Sequence, residues 1–164
     1  MSKELKGKKL VVGFDIDGVL CEETYESFKN EKNPLESYLK AAPDFTPTKH
    51  LQLMLDFLFC TPNEVRIITF RHISWKEQTE KWFSKFTSLD RLHFHYATQL
   101  FIGDDGKTDE ERYRQHLVAA AKHKIQVVKD HRVSLFFEDT KYIVEAAQRE
   151  CSECVRVLVN KMGV

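Results

Sequence analysis

Asp15 and Asp17 close the apolar run Val11-Val12-Gly13-Phe14 and are followed by Gly18. If extended geometry continues past Phe14, the two aspartates project to the same side while Ile16 turns toward a core. Gly18 then lets the backbone turn and crowd a ligand. Two further apolar runs end on polar groups: Val65-Arg66-Ile67-Ile68 on Thr69, and Val133-Ser134-Leu135-Phe136-Phe137 on Glu138-Asp139. Bringing Asp139 beside Asp15 and Asp17 gathers three carboxylates, and two such charges some 4 Å apart repel by about 4 kcal/mol at an effective dielectric near 20. A hard divalent cation is the natural remedy. An all-oxygen site with few protein ligands suits Mg²⁺, which keeps several waters and commonly bridges to a substrate phosphate.

Placing these groups together requires a sheet. Lys9 to Phe14 reads as a strand buried on both faces, as in a parallel sheet. Residues 21 to 45 read as a small helical insert, with helical pieces around Tyr25–Lys29 and Leu35–Leu39. Thr46-Pro47 supplies an N-cap and first-turn proline for a helix carrying Leu51, Leu55 and Leu58. Val65 to Phe70 is the second strand, and Ser74-x-x-Glu77 a capping box opening a helix with Trp75, Trp82, Phe83 and Phe86. Leu92 to Tyr96 is the third strand. The polar turn Gly103-Asp104-Asp105-Gly106-Lys107-Thr108-Asp109 precedes a helix from about Glu110 that breaks near Lys122-His123, so that Lys124 opens a new helical stretch. Val133 to Phe137, a helix from Tyr142 to Arg149, and a fifth strand Val155 to Val159 complete the chain. Strands alternating with helices imply an α/β fold with a parallel sheet of five core strands and right-handed crossovers. The 164 residues fit one domain, 1–164.

Asp15-Ile16-Asp17-Gly18-Val19 ending the first strand, Thr69 ending the second, Lys124 at a helix start and Glu138-Asp139 ending the fourth resemble, in that order, the four motifs of the haloacid dehalogenase (HAD) superfamily. The resemblance implies a three-layer Rossmann-like, HAD-like fold and a phosphomonoester hydrolase. Asp15 would be the nucleophile, forming an aspartyl-phosphate that water hydrolyses. Asp17 would protonate the leaving group and activate that water. Thr69, Phe70 and Lys124 would surround the phosphoryl oxygens. Asp139 would bind Mg²⁺ with Asp15 and the backbone carbonyl of Asp17, and Glu138 stands as an alternate ligand. An acid at the Asp17 position favours phosphoryl chemistry, because dehalogenases of the superfamily lack it. Phe70 departs from the pattern, since related phosphatases often place a small residue before the arginine. Thr69-Phe70-Arg71, with Thr79 and Trp82 beyond, is similar to the 5′(3′)-deoxyribonucleotidases, and Arg71 and His72 become candidates for leaving-group contacts. The insert over residues 21–45 lies where this superfamily places one lid type, and so small a lid favours a bulky substrate or closure by a partner subunit. The implied ligand is a small phosphorylated molecule, with nucleotides included.

Lysine plus arginine equal aspartate plus glutamate at 25 each, so no net field draws the chain to nucleic acid or an anionic membrane. No stretch approaches the roughly 20 apolar residues of a membrane span, and the chain reads as cytoplasmic. Four scattered cysteines fit a reducing compartment. Cys151-x-x-Cys154 is half a zinc motif without its other half, and His93-x-His95 lacks an obvious third ligand. A phosphotransfer receiver domain is excluded because its acceptor aspartate ends the third strand, where this chain has His95-Tyr96-Ala97. A binding or regulatory module that keeps the phosphate and metal site without turnover is the rival reading.

Overall fold

A computed structural model describes residues 9–60, 62–99 and 108–159. Five parallel strands, β1 (Val11–Phe14), β2 (Glu64–His72), β3 (His93–Ala97), β4 (Leu135–Glu138) and β5 (Val155–Leu158), form one sheet in the order β3-β2-β1-β4-β5. Each strand start lies within a residue or two of its sequence expectation. β2 runs further, through Thr69 to His72, with an irregular register against β3 between Ile68 and His72.

The strands are apolar on both sides, which obliges helices to cover both. On one face, Val12, Phe14, Val65, Ile67 and Phe137 pack under α2 (Lys49–Phe59), α3 (Lys76–Phe83) and the insert. On the other, Ile68 and Phe136 pack under α4 (Asp109–Asp130) and α5 (Lys141–Glu150). The result is a three-layer α/β/α arrangement. The insert after β1 consists of a 3-10 turn at Tyr25–Phe28, helix α1 (Pro34–Ala41) and a second 3-10 turn at Ala42–Asp44.

Three local expectations change. The α2 N-cap is Thr48, whose hydroxyl oxygen accepts from His50 N at 3.1 Å, rather than Thr46. The Ser74–Glu77 capping box does not form, because a 3-10 turn occupies Ile73–Trp75 and α3 begins at Lys76. His72 caps that turn instead, its Nδ1 accepting from Ser74 N. The break expected near Lys122-His123 is absent: α4 is continuous over 22 residues. It contains neither glycine nor proline and carries Ala119-Ala120-Ala121 at its middle, the residue type that costs a helix least. A Thr108–Glu111 capping box starts it. The polar turn expected at Gly103–Lys107 lies outside the described residues. All four cysteines are free, and Cys151 and Cys154 are buried in the core beneath α5.

β1 occupies the centre of the sheet, and Gly13 is its tightest point. A Cβ there would meet Ile68 Cδ1 at 2.7 Å and Phe136 Cδ2 and Val133 Cγ1 at 3.2 Å each. Gly13→Ala is expected to destabilise the fold by about 1–3 kcal/mol through overpacking, read as a lower urea midpoint at unchanged m-value; an unchanged midpoint would refute the close packing. A second prediction concerns acid. His95 Nε2 lies 2.9 Å from Arg66 Nη1, and since a guanidinium only donates, His95 must accept and be neutral. Burial, with the His131 ring 4.6 Å away and Arg66, pushes its pKa down to about 4. The folded value lies below the unfolded value of about 6.5, so this contribution to stability is complete above the unfolded value and is lost as pH falls through the folded one. His95→Gln, which keeps an acceptor but does not titrate, should flatten the decline in urea midpoint across that window. An equally steep decline in the variant would remove His95 as its source.

Candidate functional site

The parallel register brings the carboxyl ends of β1 and β4 level: Phe14 lies opposite Phe137, and Asp15 N donates to Phe137 O at 3.0 Å. Asp15 therefore sits beside Glu138, just beyond two phenyl rings stacked 4.6 Å apart. Both acids are buried, Asp15 at 5% exposure and Glu138 at none. Their charge is met by Lys124, which reaches across from α4 with Nζ at 2.9 Å from Asp15 Oδ2 and 2.7 Å from Glu138 Oε2. The other Glu138 oxygen accepts from Thr140 N at 3.0 Å.

One ammonium serves two carboxylates. Burial and the neighbouring charges of Glu138 and Asp17 push Asp15 up to about 7 against the pull of Lys124. Glu138 is likewise raised, chiefly by burial. Burial opposes the Lys124 charge, but Asp15 and Glu138 outweigh it and raise the lysine above its ordinary range. Asp15, Glu138 and half-buried Asp139 each offer a carboxylate oxygen within 4.8 Å of the others, the grouping of potential metal ligands found among the described residues. Asp139 Oδ1 also accepts from the Thr140 hydroxyl at 3.2 Å.

Asp17 belongs to a different neighbourhood. The extended geometry ends at Ile16, whose carbonyl accepts from the backbone N–H groups of Val19, Leu20 and Cys21, and Gly18 takes φ 77°. That left-handed turn is the one glycine conformation the site requires. The Asp17 carboxylate finds its partners on β2 and the insert. Arg71 grips it with both arms of its fork, Nε donating to Oδ2 at 3.2 Å and Nη2 to Oδ1 at 2.7 Å. The Tyr38 hydroxyl from α1 lies 2.9 Å from Oδ1 and 3.1 Å from Oδ2. The two aspartates thus have different partners, Lys124 for Asp15 and Arg71 with Tyr38 for Asp17, while the Asp17 charge still acts on Asp15.

Arg71 is spent on this task. It is 3% exposed, its Nη1 donates to Thr79 Oγ1 at 3.0 Å, and its guanidinium lies over the Tyr38 and Phe45 rings at 5.4 and 5.7 Å. Burial opposes its charge, and Asp17 more than restores it. The Tyr38 hydroxyl, raised well above its usual range by burial and then by Asp17, stays neutral. Burial and Asp17 also raise the Cys21 thiol, which packs against the clamp at 3.8 Å from Asp17 Oδ1.

Thr69 lies on β2 two residues before Arg71, is buried, and accepts from Arg71 N at 3.1 Å. Phe70 points to the opposite layer, its ring packed edge-on against His116 of α4 at 4.9 Å between centroids. His72 is taken up by Ser74 and by the carbonyl of Thr98, 3.3 Å from Nε2. Sequence reasoning named Arg71 without its partner and missed Tyr38 altogether. The parity of Thr69 and Arg71 on one strand face was available; nothing in the sequence places α1 over Asp17.

No protein-family model matches the chain, and no curated protein sequence matches it. Solved structures do. A chain in a structure of the Pnkp1/Rnl/Hen1 complex aligns with TM-score 0.58 at 15% identity over 97% of this protein, and one in the Pnkp1/Rnl/Hen1 RNA repair complex with 0.53 at 18% over 93%. This protein spans less than half of those chains, 48% and 42%. A class C acid phosphatase from Bacillus anthracis with tungstate bound gives 0.51 at 13%, covering 95% of this chain and 68% of that one. A HAD family enzyme from Bacteroides thetaiotaomicron in complex with magnesium and inorganic phosphate gives 0.50 at 12%, covering 96% of this chain and 97% of that one. Among the described residues, no helix is long and apolar enough to cross a membrane. The five-stranded parallel sheet, the helical layers on both faces and these alignments agree: the chain has the HAD-like fold.

Proposed function

We propose that this protein is a Mg²⁺-dependent phosphomonoester hydrolase acting through an aspartyl-phosphate on Asp15. The observation that carries the reading is a buried Asp15 at the carboxyl end of the central strand, 2.9 Å from Lys124 and within reach of Asp139. The match to a HAD family enzyme holding magnesium and phosphate supports it.

The donor set fits Mg²⁺, since Asp15, Glu138 and Asp139 offer only hard oxygens. Both Glu138 oxygens are already engaged, by Lys124 and Thr140 N. Asp15 and Asp139 would therefore hold the ion, with the backbone carbonyl of Asp17. When bound, Mg²⁺ supplies charge neutralisation and polarisation of the phosphoryl group.

The chain's own groups supply the rest. An Asp15 carboxylate oxygen attacks phosphorus as the bond to the leaving oxygen breaks, and Asp17 gives that oxygen a proton. Water then attacks phosphorus and passes a proton to Asp17 while the bond to Asp15 breaks, restoring both aspartates. An ammonium has three N–H donors; Lys124 directs two at Asp15 and Glu138, and its third would meet a phosphoryl oxygen, beside the Thr69 hydroxyl. The substrate is a small phosphorylated molecule, with nucleotides one class, and the insert over residues 21–45 a small cap above the site.

Purified protein with Mg²⁺ should release phosphate from at least one member of a panel of phosphorylated metabolites, sugar phosphates and nucleotides. Asp15→Asn should reduce this to background, and Asp17→Asn should lower it by about 10²–10⁴-fold. Chelation with EDTA should abolish turnover, with recovery on adding Mg²⁺. Silence across the panel, together with a stable beryllofluoride adduct on Asp15, would favour a phosphate-binding module without turnover. Wild-type rates in Asp15→Asn would overturn the nucleophile assignment.

A further inference from the structure

Resting on the phosphatase reading, we propose that Tyr38, carried by the insert helix α1, is a positioning residue that holds Asp17 in line for proton transfer to the leaving group. Three observations converge. The Tyr38 hydroxyl lies within 3.1 Å of both Asp17 oxygens, across 21 residues of sequence. Its ring is fixed on several sides, by Phe45 at 5.2 Å, Phe28 at 5.8 Å, Trp75 at 5.9 Å and Tyr25 at 6.0 Å between centroids. Tyr38 is itself fully buried while the Asp17 side chain keeps 26% exposure, so the clamp secures the carboxylate from behind and leaves it a way out to a ligand.

The two members of the clamp differ in what they tolerate. A guanidinium can only donate, so Arg71 bonds well to an aspartate carboxylate and poorly to the hydroxyl of a carboxylic acid. A phenol carries a single O–H that can turn toward either Asp17 oxygen. Tyr38 can therefore stay bonded to Asp17 on either side of the proton transfer, donating to the carboxylate or to the unprotonated oxygen of the acid, which leaves the acid's own proton free for the leaving oxygen. A residue that must carry a proton in one half-reaction and take one up in the other needs such a partner to keep its orientation.

Tyr38→Phe removes the hydroxyl and keeps the ring contacts. Two substrates separate positioning from structure: glycerol 2-phosphate, whose alkoxide must be protonated as it departs, and acetyl phosphate, whose acetate leaves without a proton. The parameter is kcat/KM, which reports steps through the first irreversible one, departure of the leaving group, and so is blind to the later attack of water. For glycerol 2-phosphate it should fall about tenfold to a hundredfold, the scale of one hydrogen bond to a charged group. For acetyl phosphate it should stay close to wild type, and Asp17→Asn should show the same contrast more strongly. Tyr25→Phe, removing a hydroxyl from the same aromatic cluster, should leave both substrates unaffected, and the thermal midpoint of each variant reports its fold. An equal loss on both substrates, or none on either, in an otherwise active enzyme overturns the role of Tyr38 alone. Wild-type protein that releases phosphate from neither compound nor from any member of the wider panel overturns the phosphatase reading, and the Tyr38 role with it.

Discussion

One buried ammonium organises this molecule. Lys124 crosses from α4 to the ends of β1 and β4 and is the shared partner of Asp15 and Glu138, two acids whose charge burial opposes. Removing one member of a buried charge group strands the others at a cost of about 3–5 kcal/mol. The fold must therefore deliver all three together, which demands a long continuous α4, a register that sets β1 beside β4, and a helix layer close enough for a lysine to span. The continuity of α4 has its reason here. A break at residues 122–123 would detach Lys124 from the face carrying Ala120, Ala121, Ile125 and Val128 into the core.

The second carboxylate is governed by the same need with a different answer. Asp17 could not share Lys124 without crowding three acids around one cation, and it has a clamp of its own in Arg71 and Tyr38. Two carboxylates two residues apart in sequence thus draw on two different cations. Each has a fixed cation, Lys124 or Arg71, already within hydrogen-bonding distance. Such preorganised charges cost little reorganisation when charge moves during a reaction.

What could be read in advance follows from how local each signal is. β1, β2 and β4 announce themselves because their bodies are apolar and their ends polar, and the position of Lys124 fourteen residues before Glu138 picks it out from its neighbours. The turn chemistry was less legible. The Ile16 carbonyl collects three N–H groups, a turn made over five residues with no distinctive composition beyond Gly18. Arg71 could be seen as a site residue but not as a buried one, since its burial requires Tyr38 and Phe45 to come from far along the chain. The helix starts at Thr48 and Lys76 were misplaced for a related reason: several hydroxyl and acidic residues could cap, and tertiary contacts chose among them. Thr48 is selected because its hydroxyl also donates to the Val19 carbonyl, tying α2 to the turn that carries Asp17.

The insert joins this architecture at few points, and they are unevenly spread. Its stretch from Lys29 to Asn33 is exposed throughout, while Tyr38, Ala42 and Phe45 are buried against the sheet layer. Exposed loop tips accept added residues far more readily than buried anchors do. The insert can thus grow outward at residues 29–33 into a larger roof while its anchored half keeps the Tyr38 hydroxyl on Asp17. A lineage could change what enters the site without rebuilding the machinery beneath it.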